Sequence, residues 1–321
     1  MKYIIIGAGN ELSRYTWFDV IDRNDVYYKE QMYELTGFKK ILQKIHCSAR
    51  INKIINLPFK NRWWKYNELR NIEFNKEFYL VLGDTAFGKS DISYLKMLRE
   101  NYQVKVIIVL LNPINSISKD LKTEIDKMDR ILTTDLQDSS DFNYPYISTV
   151  YSKIPIDLKL SNENNTDLFF VGAEKNRLSI LLKCFEIFKK NNIMTLFYIF
   201  NVKNKHQKYK NEIFYNSYLK YSEILEKVGD TNCIFEVLQN SQTGITYRTM
   251  EAVCYNKKLL TNNKNIKKFA FYNPDYIEIF ENPEDINIEF IKKRIVVDYG
   301  YNNEYSPVNI LNYIAEIEVK E

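Results

Sequence analysis

The chain has 321 residues, 45% of them hydrophobic and 27% charged, which is the balance of a globular protein long enough to form two domains. The 45 Lys and Arg residues barely outnumber the 41 Asp and Glu residues, so the net charge gives no indication of nucleic-acid binding. Four scattered cysteines without a C-x-x-C pair and only two histidines argue against a metal site and a His-based triad, and predict reduced thiols in the cytosol.

The first residues have the pattern that opens a Rossmann-like domain. Residues 3–6 form a short β run, and a glycine-rich turn follows with Gly7, Gly9 and Asn10. The third glycine of the dinucleotide fingerprint is missing, since the turn reads GAGNEL, which argues against NAD binding.

Strands and helices then alternate through the first half. Residues 104–111, VKVIIVLL, are apolar throughout, as in a parallel strand covered on both faces. The alternation predicts an α/β fold with a doubly wound parallel sheet. The predicted strands are residues 53–57, 78–82, 104–111, 130–133 and the strand-like 146–152, and the predicted helices are 29–43, 90–102 and 119–127.

Residues 83–90, GDTAFGKS, match the phosphate-binding P-loop pattern and stand between a predicted strand and a predicted helix. A P-loop enzyme also needs an acidic residue at the end of a neighbouring strand to hold magnesium. Here that strand ends in Leu-Asn-Pro, and Asp84 and Phe87 are unusual within such a loop. We therefore favour a loop of the N-terminal domain, and keep a P-loop-type nucleotide-dependent enzyme as the alternative.

The second half begins with a polar, patternless stretch, residues 153–166, which predicts a linker. A second strand–glycine–helix start follows, LFFVGAEKNR, with Gly172 and Arg177. Further predicted elements are helix 178–190, strand 195–202, helix 212–228, sheet elements 266–271 and 277–280, a helix opened by Pro283, and a final helix 308–318.

The most informative stretch is a βαβ unit: strand 233–238, a polar turn, helix 246–255 and strand 258–261. The start of a helix carries unpaired N–H groups and partial positive charge, so it is a ready phosphate site. Gly244 allows close backbone approach, and Thr243 and Thr246 are both candidate N-caps. Arg248 in the first turn opposes the helix dipole unless an anion binds there. Glu251 lies one turn on, within reach of a ribose hydroxyl.

Residues 242–252, QTGITYRTMEA, with KLLTN at 258–262, resemble the donor-binding segment of GT-B glycosyltransferases, and more narrowly of bacterial enzymes that build capsular or lipopolysaccharide glycans. The resemblance implies that the helix start holds the diphosphate of a UDP- or GDP-linked sugar and that an acidic residue binds the ribose. FVG followed by a basic residue resembles the phosphate-binding loop of the same family. The implied donor-binding residues are Gly172, Arg177, Gln242, Thr243, Gly244, Thr246, Arg248 and Glu251.

The resemblance also implies two Rossmann-like domains facing each other across a cleft. The expected boundaries are 1–152 for the acceptor-side domain, 153–166 for the linker, 167–305 for the donor-binding domain and 306–321 for a helix that packs back on the first domain. Gly7, Gly9 and Asn10 would face the cleft.

The implied activity is metal-independent transfer of a sugar from a nucleotide sugar, without a cofactor, to a lipid-linked or oligosaccharide acceptor at the cytoplasmic face of a membrane. No apolar run is long enough to span that membrane. An inverting enzyme would need a base, for which Glu11, Asp19 and Asp84 are candidates, although each also fits a cap or a turn. Two alternatives remain open. The helix is a buried helix with ordinary caps in which Arg248 and Glu251 form an i,i+3 ion pair, or the protein binds nucleotide or glycan without catalysis.

Overall fold

The computed structural model describes residues 1–74, 76–88, 91–117, 122, 124–155, 166–239 and 244–319. The chain divides into two compact units, Met1–Ser152 with Tyr305–Glu321, and Lys153–Glu304. Residues 156–165 of the predicted linker lie outside the described residues. Each unit contains one parallel sheet with helices packed on it.

The first unit has a five-stranded parallel sheet in the order β2-β1-β3-β4-β5. Its strands are β1 Lys2–Ile6, β2 Val26–Lys29, β3 Phe78–Gly83, β4 Val104–Leu110 and β5 Arg130–Thr133. Its helices are α1 Glu11–Thr16, α2 Gly37–His46, α3 Ala49–Ile54, α4 Ile92–Asn101 and α5 Leu136–Phe142.

The second unit has a six-stranded parallel sheet in the order β11-β10-β9-β6-β7-β8. Its strands are β6 Thr166–Ala173, β7 Thr195–Phe200, β8 Ile213–Tyr215, β9 Thr231–Glu236, β10 Lys258–Thr261 and β11 Ile277–Ile279. Its helices are α6 Leu178–Lys190, α7 Tyr221–Gly229, α8 Tyr247–Cys254 and α9 Ile288–Lys292.

Both faces of the first sheet are buried, which explains why its strands are continuously apolar. Alternate residues of β1 enter different cores: Ile4 and Ile6 join one, and Tyr3 and Ile5 join the other. The last helix, α10 Pro307–Val319, packs on this second core through three apolar side chains. Its side chains in the core are Ile310, Leu311 and Ile314.

In each sheet the strand order reverses direction once: between β1 and β3 in the first unit, and between β6 and β9 in the second. Open α/β sheets bind ligands outside the carboxyl ends of the strands at such a reversal. The loops that follow β6 and β9 are therefore brought together at the position where a ligand is expected in the second unit.

Two predicted elements of the first unit are wrong. The predicted helix 29–43 begins only at Gly37, because Val26–Lys29 pairs with β1 as an edge strand. The predicted strand 53–57 is wrong because helix α3 extends to Ile54. The Asn52 side chain then accepts a hydrogen bond from Leu57 N (3.0 Å), so local bonds replace a strand partner.

The strand-like residues 146–152 form one bridge to β5 instead of a ladder. Ile147 N donates to Thr133 O, whereas Tyr151 N donates to Tyr305 O, so the segment divides its backbone bonds between two partners. Most of the predicted helix 119–127 lies outside the described residues.

In the second unit, the predicted helix 212–228 is two elements. Ile213–Tyr215 pairs with β7, and Asn216 has a φ of 54°, which ends the strand before helix α7 begins at Tyr221. The predicted sheet element 266–271 is wrong, since Lys264–Lys268 is a short 3₁₀ helix whose start is capped by Asn263.

Candidate functional site

Helix α8 begins where the sequence predicts, directly after Thr246. The Thr246 hydroxyl accepts hydrogen bonds from the backbone N–H groups of Arg248 (3.0 Å) and Thr249 (3.4 Å), which is N-cap geometry. Gly244 precedes this cap, and its carbonyl accepts from the Asn263 side chain at 3.2 Å. Gln242 and the alternative cap Thr243 lie outside the described residues.

A buried carboxylate that sequence reasoning missed fixes the start of this helix. Glu236 ends β9, is 2% exposed, and accepts hydrogen bonds from the hydroxyls of Thr246, Thr249 (2.8 Å) and Thr261 (2.5 Å). A negative charge below a helix N-terminus is also favoured by the helix dipole. The available signal was an acidic residue within an otherwise apolar predicted strand, with two residues between it and a glycine-containing turn.

Arg248 and Glu251 form an ion pair, with 2.5 Å between Arg248 Nη2 and Glu251 Oε1. The i,i+3 pair that the sequence left as an alternative is therefore present, but it is not on the surface. The Glu251 side chain is 0% exposed and that of Arg248 is 15% exposed. The Tyr221 hydroxyl also donates to Glu251 Oε1, at 2.9 Å.

Two atoms of this pair have no hydrogen-bond partner among the described residues: Arg248 Nη1 and Glu251 Oε2. Leaving a buried polar group unpaired costs about 1–3 kcal/mol, and more for a charged group. An unpaired buried polar group in a native structure requires an explanation, and a bound ligand that pairs with the group is one such explanation.

Burial raises the pKa of Glu251 to about 7, although Arg248 and Tyr221 both act to lower it. The carboxyl group is therefore close to its titration midpoint at neutral pH, and a change in its surroundings will change its charge. Perturbed groups of this kind are enriched at functional sites.

Arg177 joins the loops that follow β6 and β9. Its guanidinium donates to Ala173 O from Nε (3.1 Å) and Nη2 (3.0 Å), and to Val237 O from Nη1. A Cβ atom on Gly172 would lie 2.8 Å from Arg177 Nη2, so the glycine makes room for this guanidinium. The structure thus explains both Gly172 and Arg177: the glycine leaves space for the Arg177 side chain, which connects the two loops at the strand reversal. We call this connection the clamp.

Electrostatics connect this clamp with the start of α8. Burial lowers the pKa of Arg177, Glu236 opposes that shift and Arg248 adds to it. Lys175, which the sequence analysis did not select, has its pKa lowered by burial and then by Arg177. Arg177 therefore lies within interaction range of two other cations, Lys175 and Arg248, and of the Glu236 carboxylate at the carboxyl edge of this sheet. An anionic ligand that contacts the cations would be favourable there.

The glycine-rich turn after β1 packs closely on the end of β2. A Cβ atom on Gly7 would lie 2.5 Å from the Tyr28 hydroxyl, and Gly9 has a φ of +70°. Asn10 caps α1 by accepting from Ser13 N at 2.9 Å. Local packing explains these residues, and a role in a cleft stays a prediction.

Each of the three candidate bases has a structural role in the first unit. Asp19 accepts from the Ser306 hydroxyl (2.6 Å), which attaches the start of α10. Asp84 accepts from Leu111 N (3.0 Å), and burial raises its pKa. Glu11 is the first residue of α1, where a carboxylate suits the helix dipole. A catalytic role for any of them stays a prediction.

The P-loop-like residues 83–90 do not present a free anion cradle in their described part. Gly88 N donates to the carboxylate of Asp91 (2.8 Å), and Ala86 N donates to Gly83 O (2.9 Å). A P-loop needs such N–H groups for phosphate. Lys89 and Ser90 lie outside the described residues.

We therefore expect Lys89→Ala to leave the affinity for UDP within about threefold of the wild type, because a bound nucleotide does not use this loop. Isothermal titration calorimetry measures this, with the exposed Lys76→Ala as a charge-matched control. Magnesium-dependent ATP binding that is tight in the wild type and lost only in Lys89→Ala would contradict the expectation.

A cavity of about 650 Å³ lies between the start of α6 and the loop after β7. It contains none of the predicted donor-binding residues in the described part of the chain. It is lined by Glu174, Leu178, Ser179, Leu182, Lys183, Glu186, Val202, Lys203, Lys205, His206 and Lys208. The residues that line this cavity do not include Arg177, Glu236, Arg248 or Glu251.

Comparison with solved structures identifies the same fold in two enzymes. The sucrose-phosphate synthase of Thermosynechococcus elongatus matches with a TM-score of 0.55 and 10% identity, over 99% of this chain and 98% of that one. An alpha-glucosyltransferase in complex with UDP and a 13-mer DNA containing an HMU base matches with a TM-score of 0.50 and 13% identity, over 98% of each chain. The predicted fold class, α/β with two Rossmann-like domains of the GT-B type, is confirmed.

No family model and no curated protein sequence matches the chain. At identities of 10% and 13% the structural likeness shows the fold alone.

Proposed function

We propose that this protein is a glycosyltransferase that binds a nucleotide sugar at the start of α8 and transfers the sugar to a growing surface glycan. The observation that carries the proposal is the pair of buried atoms Arg248 Nη1 and Glu251 Oε2, which have no partner within the described part of the chain and lie beside the strand reversal of the second unit. The fold supports it, since the two similar structures are named as a sucrose-phosphate synthase and an alpha-glucosyltransferase with bound UDP.

In this proposal the diphosphate binds at the positive end of α8. Arg248 Nη1 supplies a donor that none of the described residues uses, whereas Arg177 already donates to two carbonyl groups and contributes mainly its charge. Lys175 adds a third positive charge. A fixed positive environment stabilises the charge that develops on a leaving diphosphate, which is how we propose that the transfer proceeds without a metal.

We propose that Glu251 Oε2 accepts a hydrogen bond from a ribose hydroxyl. Because Glu251 has no exposed surface, this requires a local rearrangement. The diphosphate competes with Glu251 for Arg248, so the ion pair is the contact that we expect to open. Tyr221 would continue to hold Oε1 through its hydroxyl.

We propose a lipid-linked or oligosaccharide acceptor rather than a nucleic acid. The DNA in one of the similar structures belongs to that complex, and this chain has an excess of only four basic residues. We propose a UDP- or GDP-linked sugar as the donor.

A direct test combines binding and turnover. We expect UDP or GDP to raise the melting temperature in the presence of EDTA, and ATP with magnesium to have no effect. A panel of nucleotide sugars, assayed for release of the nucleoside diphosphate, then identifies the donor. Stabilisation by ATP and magnesium alone would support the P-loop alternative. Tight UDP binding without turnover of any donor on lipid-linked or oligosaccharide acceptors would support a noncatalytic binding protein.

A further inference from the structure

Helix α2 presents its apolar side chains to solvent. Phe38, Ile41, Leu42 and Ile45 are 72%, 55%, 40% and 48% exposed, and none of the helix's ten residues is buried. Their spacing of i, i+3, i+4 and i+7 places them along one face of the helix. We call these four residues the apolar stripe. A surface helix of a globular protein normally turns such a stripe toward the core.

Contacts on another face of the helix explain this orientation. The Trp63 indole N–H donates to His46 Nδ1 at 2.9 Å, so His46 Nε2 carries the proton and donates to Pro58 O at 2.8 Å. The Lys39 ammonium lies 5.2 Å from the centre of the Tyr66 ring. His46 and Lys39 thus attach one flank of α2 to the protein, and the apolar stripe beside it keeps between 40% and 72% of each side chain exposed.

The chain after α2 also exposes large apolar side chains. Ile54, Ile55 and Phe59 are 85%, 63% and 63% exposed. Scattered exposed apolar residues are ordinary in soluble proteins, but eight large ones within 22 residues, counted from Phe38 to Phe59 and including Ile51, are not.

The positive charge of the same segment indicates which kind of partner its exposed apolar side chains contact. Residues 37–59 contain five Lys and Arg residues and no Asp or Glu. Lys40 and Lys44 are exposed on the helix that carries the apolar stripe. A second copy of the chain would bring the same positive charge to this surface, whereas an anionic lipid surface complements it.

We infer that residues 37–59 dock the protein on a membrane surface rich in anionic phospholipid, with the apolar stripe inserted among the head groups and the lysines above them. Among the described residues no helix is long and apolar enough to span a membrane, so the attachment proposed here is peripheral. It does not depend on the proposed function, although it would bring a glycosyltransferase to a lipid-linked acceptor.

Sedimentation with phospholipid vesicles tests the inference. We expect the protein to bind vesicles that contain phosphatidylglycerol, and Ile41→Ser/Ile45→Ser to bind them about tenfold or more weakly. The control is Met194→Ser/Val296→Ser, which removes two apolar side chains that are 61% and 90% exposed in the second unit and should not change binding. Because all four residues are exposed, each variant should keep the wild-type melting temperature.

A second variant tests the electrostatic contribution of the lysines to vesicle binding. Lys40→Gln/Lys44→Gln should weaken binding to the same vesicles roughly tenfold at low salt, and vesicles of phosphatidylcholine alone should bind the wild type poorly. Equal binding to both kinds of vesicle, or no binding to either, would overturn the inference. So would self-association in sedimentation velocity that disappears in Ile41→Ser/Ile45→Ser without any vesicle binding by the wild type. Calorimetry with UDP separates this test from the proposed function. The variants that weaken vesicle binding should bind UDP as the wild type does.

Discussion

Arg248→Ala is expected to weaken UDP binding by roughly tenfold to more than a hundredfold and to change uridine binding by less than about threefold. The reason is that Arg248 Nη1 is a buried donor without a partner among the described residues, at the start of α8, where a diphosphate is favoured. Uridine has no diphosphate, so its binding does not use this donor. Calorimetric titration of the variant with both ligands measures the difference.

Glu251→Ala provides the matching experiment with a different signature. It removes the proposed ribose acceptor, so UDP and uridine should both bind roughly tenfold to more than a hundredfold more weakly. Lys189→Ala is the control, because it removes one member of an exposed ion pair with Glu212 (2.7 Å) in the same unit and should not change either affinity. Unchanged affinities in folded Arg248→Ala and Glu251→Ala proteins would remove the basis for this site.

The free energy of unfolding should depend on pH through Glu251. Burial raises the pKa of this carboxyl group from 4.5 to about 7, so the folded protein binds the proton more tightly than the unfolded chain does. The resulting contribution is fully present below about pH 4.5 and is lost as the pH rises through about 7. A difference of about 2.5 pKa units corresponds to about 3 kcal/mol.

Glu251→Gln should remove this dependence, because the amide is neutral throughout the range and can still accept a hydrogen bond from Tyr221. Urea denaturation between about pH 5 and pH 8 should show the wild type losing stability relative to Glu251→Gln by about 3 kcal/mol. Arg248→Ala should make the loss larger, since Arg248 lowers the pKa of Glu251. The exposed Glu212→Gln is the control. Parallel stability curves for wild type and Glu251→Gln would show that the Glu251 carboxyl does not titrate in this range.

The parts of the fold that the sequence predicts well are those with strong local signals. The apolar run 104–111 predicts β4, the predicted strand 258–261 coincides with β10, and Thr246 marks the start of α8. A fully buried strand and a capped helix are encoded within a few consecutive residues, so their pattern survives without knowledge of their neighbours. The short edge strands β2 and β8 have no such pattern, because pairing with β1 and β7 is what makes them strands.

The sequence by itself therefore determined the α/β class, the βαβ unit around α8 and the selection of Arg177, Arg248 and Glu251. Only the tertiary structure decided what surrounds them. It places Tyr221 on Glu251 across 30 residues of chain. It also buries the ion pair and leaves one atom of each partner unpaired with respect to the residues that the structure describes. The orientation of α2 is decided in the same way, since amphipathic spacing defines an apolar face, whereas the contacts of His46 determine that this face is turned to solvent. The physical reason is common to these cases: desolvation and pairing depend on which distant residues meet, and local sequence does not encode that.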